Sequence, residues 1–281
     1  FTHITGLPGA FSTRIAYVTS KRDAKSHVSR LQVSDTDGYN PETLLTSDQP
    51  IMSPSWSPDG SQLAYVSFES GQAEIFTHNI RTGVRKSRSK YKGLNGSPVW
   101  SPDGSKLAMT LSKDGNPDIY ILNLADNKLK RITNHWSIDT EPAWMPDGKS
   151  IVFTSSRSGK PQLYKQAARA GVKPERLTYE GNYNASPTVS PDGKTVAYVH
   201  GEGSVYRIAL LEMATKSSRI LTDGPLDESP EYAPNNSMIL FASQEKREAV
   251  LAAVSVDGRQ KQRLAFTDGE VREPAWAAVR Y

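Results

Sequence analysis

Ser53-Pro54-Ser55-Trp56-Ser57-Pro58-Asp59-Gly60 is the first clear copy of a signal that recurs along the chain. It returns as Ser97-Pro98-Val99-Trp100-Ser101-Pro102-Asp103-Gly104, as Glu141-Pro142-Ala143-Trp144-Met145-Pro146-Asp147-Gly148, and as Ser186-Pro187-Thr188-Val189-Ser190-Pro191-Asp192-Gly193. Shorter copies follow at Ser229-Pro230-Glu231-Tyr232-Ala233-Pro234 and Glu273-Pro274-Ala275-Trp276. The leading prolines stand at 54, 98, 142, 187, 230 and 274, so the spacings are 44, 44, 45, 43 and 44 residues. A period that constant means one supersecondary unit repeated along the chain.

Each unit reads as short strands joined by tight turns. In the Ser-Pro-Asp-Gly corner, proline presets the first φ, aspartate tolerates the second position, and glycine takes the left-handed one that closes a bulged hairpin. After Gly60 the pattern predicts strands over 62–68, 73–80 and 84–90, separated by a Glu69-Ser70-Gly71 turn and a Thr82-Gly83 turn. Period-two alternation with β-branched and aromatic residues supports strands, and no stretch sustains a helical period. Four strands per repeat of this length is a propeller blade. One blade leaves both sheet faces bare, and stacking blades around an axis covers them. The in-phase Trp56, Trp100, Trp144 and Trp276 are therefore expected to be inter-blade core. The last copy has room for one strand, and the N-terminus supplies three, over 14–20, 28–34 and 42–46. The fold expected is all-β: a closed six-bladed propeller of four-stranded antiparallel blades, with the C-terminal strand joining the N-terminal three. Closure of that kind removes free sheet edges.

The 281 residues are thus expected to form one domain over 1–281. No apolar run approaches membrane-spanning length, and nothing reads as a signal peptide. The chain opens at Phe1 without an initiator methionine, which points to a processed or trimmed form. The absence of cysteine excludes disulfides and thiol catalysis and fits an oxidising compartment without requiring one. The net charge of +4 is scattered. Its one dense stretch, 85–92, lies on an expected outer strand, where charge guards against edge pairing; no aromatic stacking platform accompanies it, and nucleic-acid binding is not expected.

Recognition is expected on the face that carries the links between blades, at 46–52, 91–96, 134–140, 179–185, 223–228 and 268–272, because these differ from repeat to repeat. Trp136, beside His135, is the one tryptophan outside the repeat phase. Met52, Tyr91, Leu94, Ile138 and Tyr183 add large apolar groups to the same ring of loops, either as anchors for a protein or peptide or folded back over the blade tops. The residues before the inner prolines, Ser53, Ser97, Glu141, Ser186, Ser229 and Glu273, are expected to point to the channel mouth, with Asp227, Glu228 and Glu270 nearby. Such an acidic rim with hydroxyls suits basic or amide groups, or a divalent cation such as calcium; the alternative reading is capping of loop backbone. No cofactor is otherwise indicated.

Catalytic signals are poor. There is no Gly-x-Ser-x-Gly elbow, His-Glu-x-x-His or phosphate loop, and His3, His27, His78, His135 and His200 fall at unrelated repeat positions. Paired carboxylates around a channel leave a glycan hydrolase or lyase as the alternative class, beside the substrate-gating propeller of a peptidase.

The repeats resemble the WD40-like PD40 repeats, and segments outside the repeat resemble the TolB family of the Tol–Pal envelope system. These are Gly9-Ala10-Phe11-Ser12-Thr13-Arg14-Ile15-Ala16-Tyr17-Val18, Ser34-Asp35-Thr36-Asp37-Gly38-Tyr39-Asn40, Phe68-Glu69-Ser70-Gly71, Tyr179-Glu180-Gly181 and Ser255-Val256-Asp257-Gly258-Arg259. The resemblance implies a monomeric, non-enzymatic periplasmic scaffold that serves outer-membrane integrity and cell-division constriction. It implies binding of the peptidoglycan-associated lipoprotein Pal, and of disordered bacteriocin segments, at the channel mouth. The partner-binding set carried over by motif and link position is Met52, Ser53, Leu94, Asn95, Ser97, His135, Trp136, Thr140, Glu141, Tyr183, Ser186, Asp227, Glu228, Ser229, Arg272 and Glu273. Leu94 stands where the family often has histidine, and Ser97 where alanine is common. The family's N-terminal α/β domain, which engages TolA, has no match in these residues, so TolA contact is not expected of this chain.

Overall fold

The structure, a computed structural model, describes residues 13–23, 26–245, 248–264 and 270–278. Segment 9–12, His3 and the Asp268-Gly269 part of the last link lie outside them. Six four-stranded antiparallel sheets make up the described residues, each running in order from an inner to an outer strand. The inner strands of blades 2 to 6 are Ile51–Trp56, Asn95–Trp100, Asp139–Trp144, Tyr183–Val189 and Asp227–Tyr232. Blade 1 takes its inner strand, Glu270–Trp276, from the other end of the sequence; it pairs with Arg14–Asp23, Ile15 facing Trp276. The ring therefore closes as the repeat count requires. Among the described residues no helix is long and apolar enough to cross a membrane.

The core lies between blades. Trp56, Leu63 and Tyr65 of blade 2 pack on Ala16, Val18, Leu31 and Val33 of blade 1, and Trp100 and Leu107 of blade 3 pack on Ala64 and Ile75 of blade 2. The phased tryptophans are inter-blade core, and they add a polar contact that the periodicity did not reveal. Trp56 Nε1 donates to the Ala275 carbonyl at 3.1 Å, Trp100 Nε1 to Ser55 at 3.2 Å, and Trp144 Nε1 to Val99 at 3.3 Å. Each bond crosses from one inner strand to the preceding one. A buried indole N–H left unpaired would cost about 1–3 kcal/mol, so the bonds fix ring orientation as well as satisfying the donor. Trp276 departs from this scheme: half-buried, it donates to Thr13 Oγ1 at 2.7 Å. Blade 6 has Tyr232 at this place, its hydroxyl 2.7 Å from Thr195 Oγ1 of blade 5.

The Ser-Pro-Asp-Gly corners take the conformation their residues dictate. Gly60 sits at φ 63° and its N–H closes the turn on the Ser57 carbonyl at 2.8 Å. The serine hydroxyl does two jobs. Ser57 Oγ donates to Asp59 Oδ1 at 2.6 Å and accepts from the Gln62 N–H at 2.9 Å, and Ser101 does the same with Asp103 and Lys106. These corners also touch around the ring, since a Cβ built on Gly104 would lie 3.7 Å from Pro58 Cδ. On the outer edge, Arg85 of the basic stretch pairs with Glu69 at 2.7 Å and lies 4.4 Å from the Phe76 ring centroid. That arginine is structural.

The hydrogen bond from Ser101 is the largest of the influences that hold Asp103 down to about 2, from an ordinary 3.8. A depressed carboxyl stabilises the fold fully above its unfolded value, and the contribution is lost as pH falls through the folded one. Ser101→Ala should therefore melt below wild type at pH 7, and the gap should narrow as pH falls from about 4 to 2. Thermal melts across that range check this, and a gap independent of pH would contradict it.

Candidate partner-binding site

A proline inside an inner strand has no N–H for the ladder, so the sequence must break pairing there. The structure does it with a β-bulge in every blade. Met52 faces Val66 and Ser55 faces Ala64, so three steps on one strand match two on the other; the other five inner strands slip likewise. The residue before each proline carries the irregularity, with φ of 52° at Ser53, 47° at Ser97, 54° at Glu141, 53° at Ser186, 52° at Ser229 and 50° at Glu273. Non-glycine residues in the left-handed region cost of order 1–3 kcal/mol each, and pre-proline residues ordinarily avoid helical backbone. The bulge re-aims these six side chains into the central channel, which holds about 550 Å³.

The channel is thus lined in two tiers. The upper one is Ser53, Ser97, Glu141, Ser186, Ser229 and Glu273; the next is Ser55, Val99, Ala143, Thr188, Glu231 and Ala275. In the upper tier the two glutamates turn to backbone. Glu141 Oε2 accepts from the Ser186 N–H at 2.9 Å and from Thr154 Oγ1 at 2.7 Å, while its Oε1 accepts from Ser186 Oγ at 2.8 Å. Glu273 Oε2 accepts from the Ser53 N–H, and burial raises its carboxyl above the usual range. Each carboxylate caps the strained residue of the next blade, so both are committed inside the fold as well as facing the channel. Among the described residues no group of three carboxylate or imidazole side chains converges to hold a metal ion.

Glu231 is the residue sequence reading passed over. It stood in view inside the fifth copy of the repeat, at a position held elsewhere by serine, valine, alanine or threonine. That substitution of a charge into a ring of small residues was the available signal.

The links bring the apolar residues together on one face. Trp136 is 82% exposed, and Tyr179, Ile138, Leu94, Met52 and Tyr91 are the other large exposed apolar side chains there. Loop 134–138 is rigidly held: Asn116 Nδ2 donates to the carbonyls of His135 at 2.9 Å and Ser137 at 2.6 Å. His135 lies 5.2 Å from the Trp136 ring, centroid to centroid, and its Nδ1 accepts from the Ser137 N–H at 3.1 Å. Tyr183 is half-buried, edge-on to Tyr206 at 5.3 Å. Thr140 is half-buried, and Glu228 and Arg272 are exposed, the latter paired with Glu270 at 2.8 Å.

Two residues expected at the surface are not there. Asn95 and Asp227 are both 0% exposed. Asn95 Oδ1 accepts from Ser89 Oγ at 2.6 Å and the Tyr91 N–H at 3.0 Å, and its Nδ2 donates to the Tyr91 carbonyl at 2.6 Å. Asp227 accepts from Ser243 Oγ at 2.6 Å. Asn95, the first residue of its inner strand, fastens its link from beneath, because a polar side chain entering a core must bring its partners with it. Asp227, the first residue of its own, is held by the neighbouring strand, and its Oδ2 is buried without a hydrogen-bond partner.

A family model described as the TolB beta propeller domain matches residues 1–280. The Tol-Pal system protein TolB of Xanthomonas campestris pv. campestris (strain B100) is 61% identical over 282 residues, covering 100% of this chain. The protein of the same description from Xanthomonas oryzae pv. oryzae (strain PXO99A) is also 61% identical over 282 residues. The chain spans 64% of the length of these curated relatives. Among solved structures, TolB from Acinetobacter baumannii superposes with a TM-score of 0.92 at 44% identity, covering 99% of this chain and 70% of that one.

Removing the Glu141 cap leaves the Ser186 N–H with Thr154 Oγ1 alone, at 3.1 Å, and leaves the Thr154 and Ser186 hydroxyls to find other acceptors. Glu141→Ala should lower the unfolding free energy by about 1–3 kcal/mol, and Glu141→Gln, which retains one acceptor, by less. Urea denaturation measures both; an alanine variant as stable as wild type would show that the carboxylate caps nothing of consequence.

Proposed function

The chain belongs to the TolB β-propeller family, and from that premise we propose that it is a non-enzymatic periplasmic scaffold of the Tol–Pal system whose link face binds the peptidoglycan-associated lipoprotein Pal. Such a tie between outer membrane and peptidoglycan serves envelope integrity and constriction at division. The observation that carries the reading is the distribution of exposed apolar groups. Six of the large ones, Met52, Tyr91, Leu94, Trp136, Ile138 and Tyr179, lie on the face of the links and the channel mouth. Exposed aromatics on a rigidly braced loop are the usual material of an interface hot spot, since little ordering entropy is lost on contact. A disordered bacteriocin segment would use the same face, by laying apolar side chains between the links.

The enzyme class gains nothing specific from the site. Glu141 spends both oxygens on backbone and hydroxyl donors and Glu273 spends Oε2 on the Ser53 N–H, which leaves no pair of free carboxyls set across the upper tier for acid–base work.

Trp136→Ala should weaken Pal binding by about 2 kcal/mol or more, roughly 30-fold in Kd, without disturbing the fold, because the ring is 82% exposed. Tyr39→Ala is the control. Tyr39 is 71% exposed but sits in a turn on the opposite face, so its removal should leave Kd unchanged. Isothermal calorimetry with purified Pal decides; equal effects from the two variants would move the site off this face.

A further inference from the structure

Three carboxyls line the channel, those of Glu141, Glu231 and Glu273, and among the described residues that line it there is no lysine, arginine or histidine. Two of the three are committed to capping, as described. Glu231 is not: its one hydrogen bond is a long contact from Thr188 Oγ1 at 3.4 Å. Its ring neighbours Ser55, Val99, Ala143, Thr188 and Ala275 are small or apolar, so space is left in front of it. Of the other ionisable groups at the channel, Glu273 belongs to the adjacent inner strand of blade 1 and Glu141 to the inner strand of blade 4, with Glu228 exposed at the mouth. From the other flank blade 5 presents the Thr188 hydroxyl.

We propose that Glu231 is a subsite for one cationic side chain, a lysine or arginine, which the bound partner inserts into the channel from the link face. The inference rests on the reading of that face as the partner site. Two residues of strand, about 7 Å, separate Ser229 in the upper tier from Glu231, a depth that the four-carbon stem of a lysine can span from the rim. A divalent cation fits less well. Calcium takes six to eight oxygens, whereas Glu231 stands with one hydroxyl, and no three carboxylates converge among the described residues.

Burial raises the Glu231 carboxyl to about 8. That shift favours the neutral acid in the free protein, which spares a half-buried side chain an unpaired charge. When the cation arrives, the carboxyl O–H breaks, its proton passes to the buffer, and the carboxylate pairs with the ammonium or guanidinium. Binding and deprotonation are one event, so affinity rises with pH up to about 8.

Two measurements test this. Titration of Pal into the protein at pH 7, in phosphate and in Tris, reports proton release through the difference in buffer ionisation heat. Wild type should release a large fraction of one proton, and Glu231→Gln should release none from this site and bind at least about tenfold more weakly. Pal binding with equal proton release and equal affinity in both proteins overturns the subsite and leaves the Pal reading standing. Pal binding to neither protein removes the Pal reading instead. The second measurement is independent of Pal: NMR titration of the Glu231 carboxyl with a capped Gly-Gly-Lys-Gly-Gly peptide at millimolar concentration, and with its norleucine analogue. The lysine peptide should lower the carboxyl's titration midpoint and the norleucine peptide should not. Equal behaviour of the two peptides overturns the proposal whatever Pal does.

Discussion

Everything in this molecule depends on inner strands that hold one another. A blade in isolation offers two sheet faces to water, and only its neighbours can cover them. The covering is apolar, but the indole bonds from Trp56 to Ala275, Trp100 to Ser55 and Trp144 to Val99 give it a fixed register. They tie the inner strands of blades 2, 3 and 4 to the ones before them at a set height along the channel. Blades 1 and 6 use other contacts at this place, Trp276 on Thr13 and Tyr232 on Thr195. On the tied half of the ring the links stand on strands that resist sliding.

The fold was legible because its cause is periodic. Proline, tryptophan and Asp-Gly recur in phase, and phase alone sets blade number, closure and the face on which the variable links lie. What the sequence hid was local and nonperiodic. The Ser-Pro and Glu-Pro steps announced a break in pairing, yet the positive φ that results comes from fitting one extra residue against a partner strand, which only pairing defines. Asn95 and Asp227 looked like surface residues because they are polar and follow loops. Asn95 is buried because its side chain supplies the hydrogen bonds that its link needs to enter the core, and Asp227 is buried against the Ser243 hydroxyl of the adjacent strand. Trp136 was legible for the opposite reason: no phase explained it, and it is the most exposed of the large apolar side chains on its face.

Three glutamates in one channel illustrate how little residue type says without its neighbours. Glu141 satisfies a backbone N–H and two hydroxyls and is part of the scaffold. Glu273 does the same work on a single N–H, at the seam between the first and last parts of the chain. Glu231 has one such donor among the described residues, the distant Thr188 hydroxyl, and loss of solvent around it pushes its carboxyl up. Burial without partners makes a carboxyl neutral; burial with partners makes it a clamp.

The seam has a consequence in time. Residues 14–47 carry three strands of blade 1, but the inner strand that completes it, Glu270–Trp276, follows every other described strand in the sequence. Until that segment arrives, Ile15, Ala16 and Val18 have no partner strand on one side, and the Trp56 indole of blade 2 lacks the Ala275 carbonyl that receives it. Pairing across so long a loop is entropically slow, so the blade that opens the ring is the one whose sheet waits longest in sequence for its inner strand.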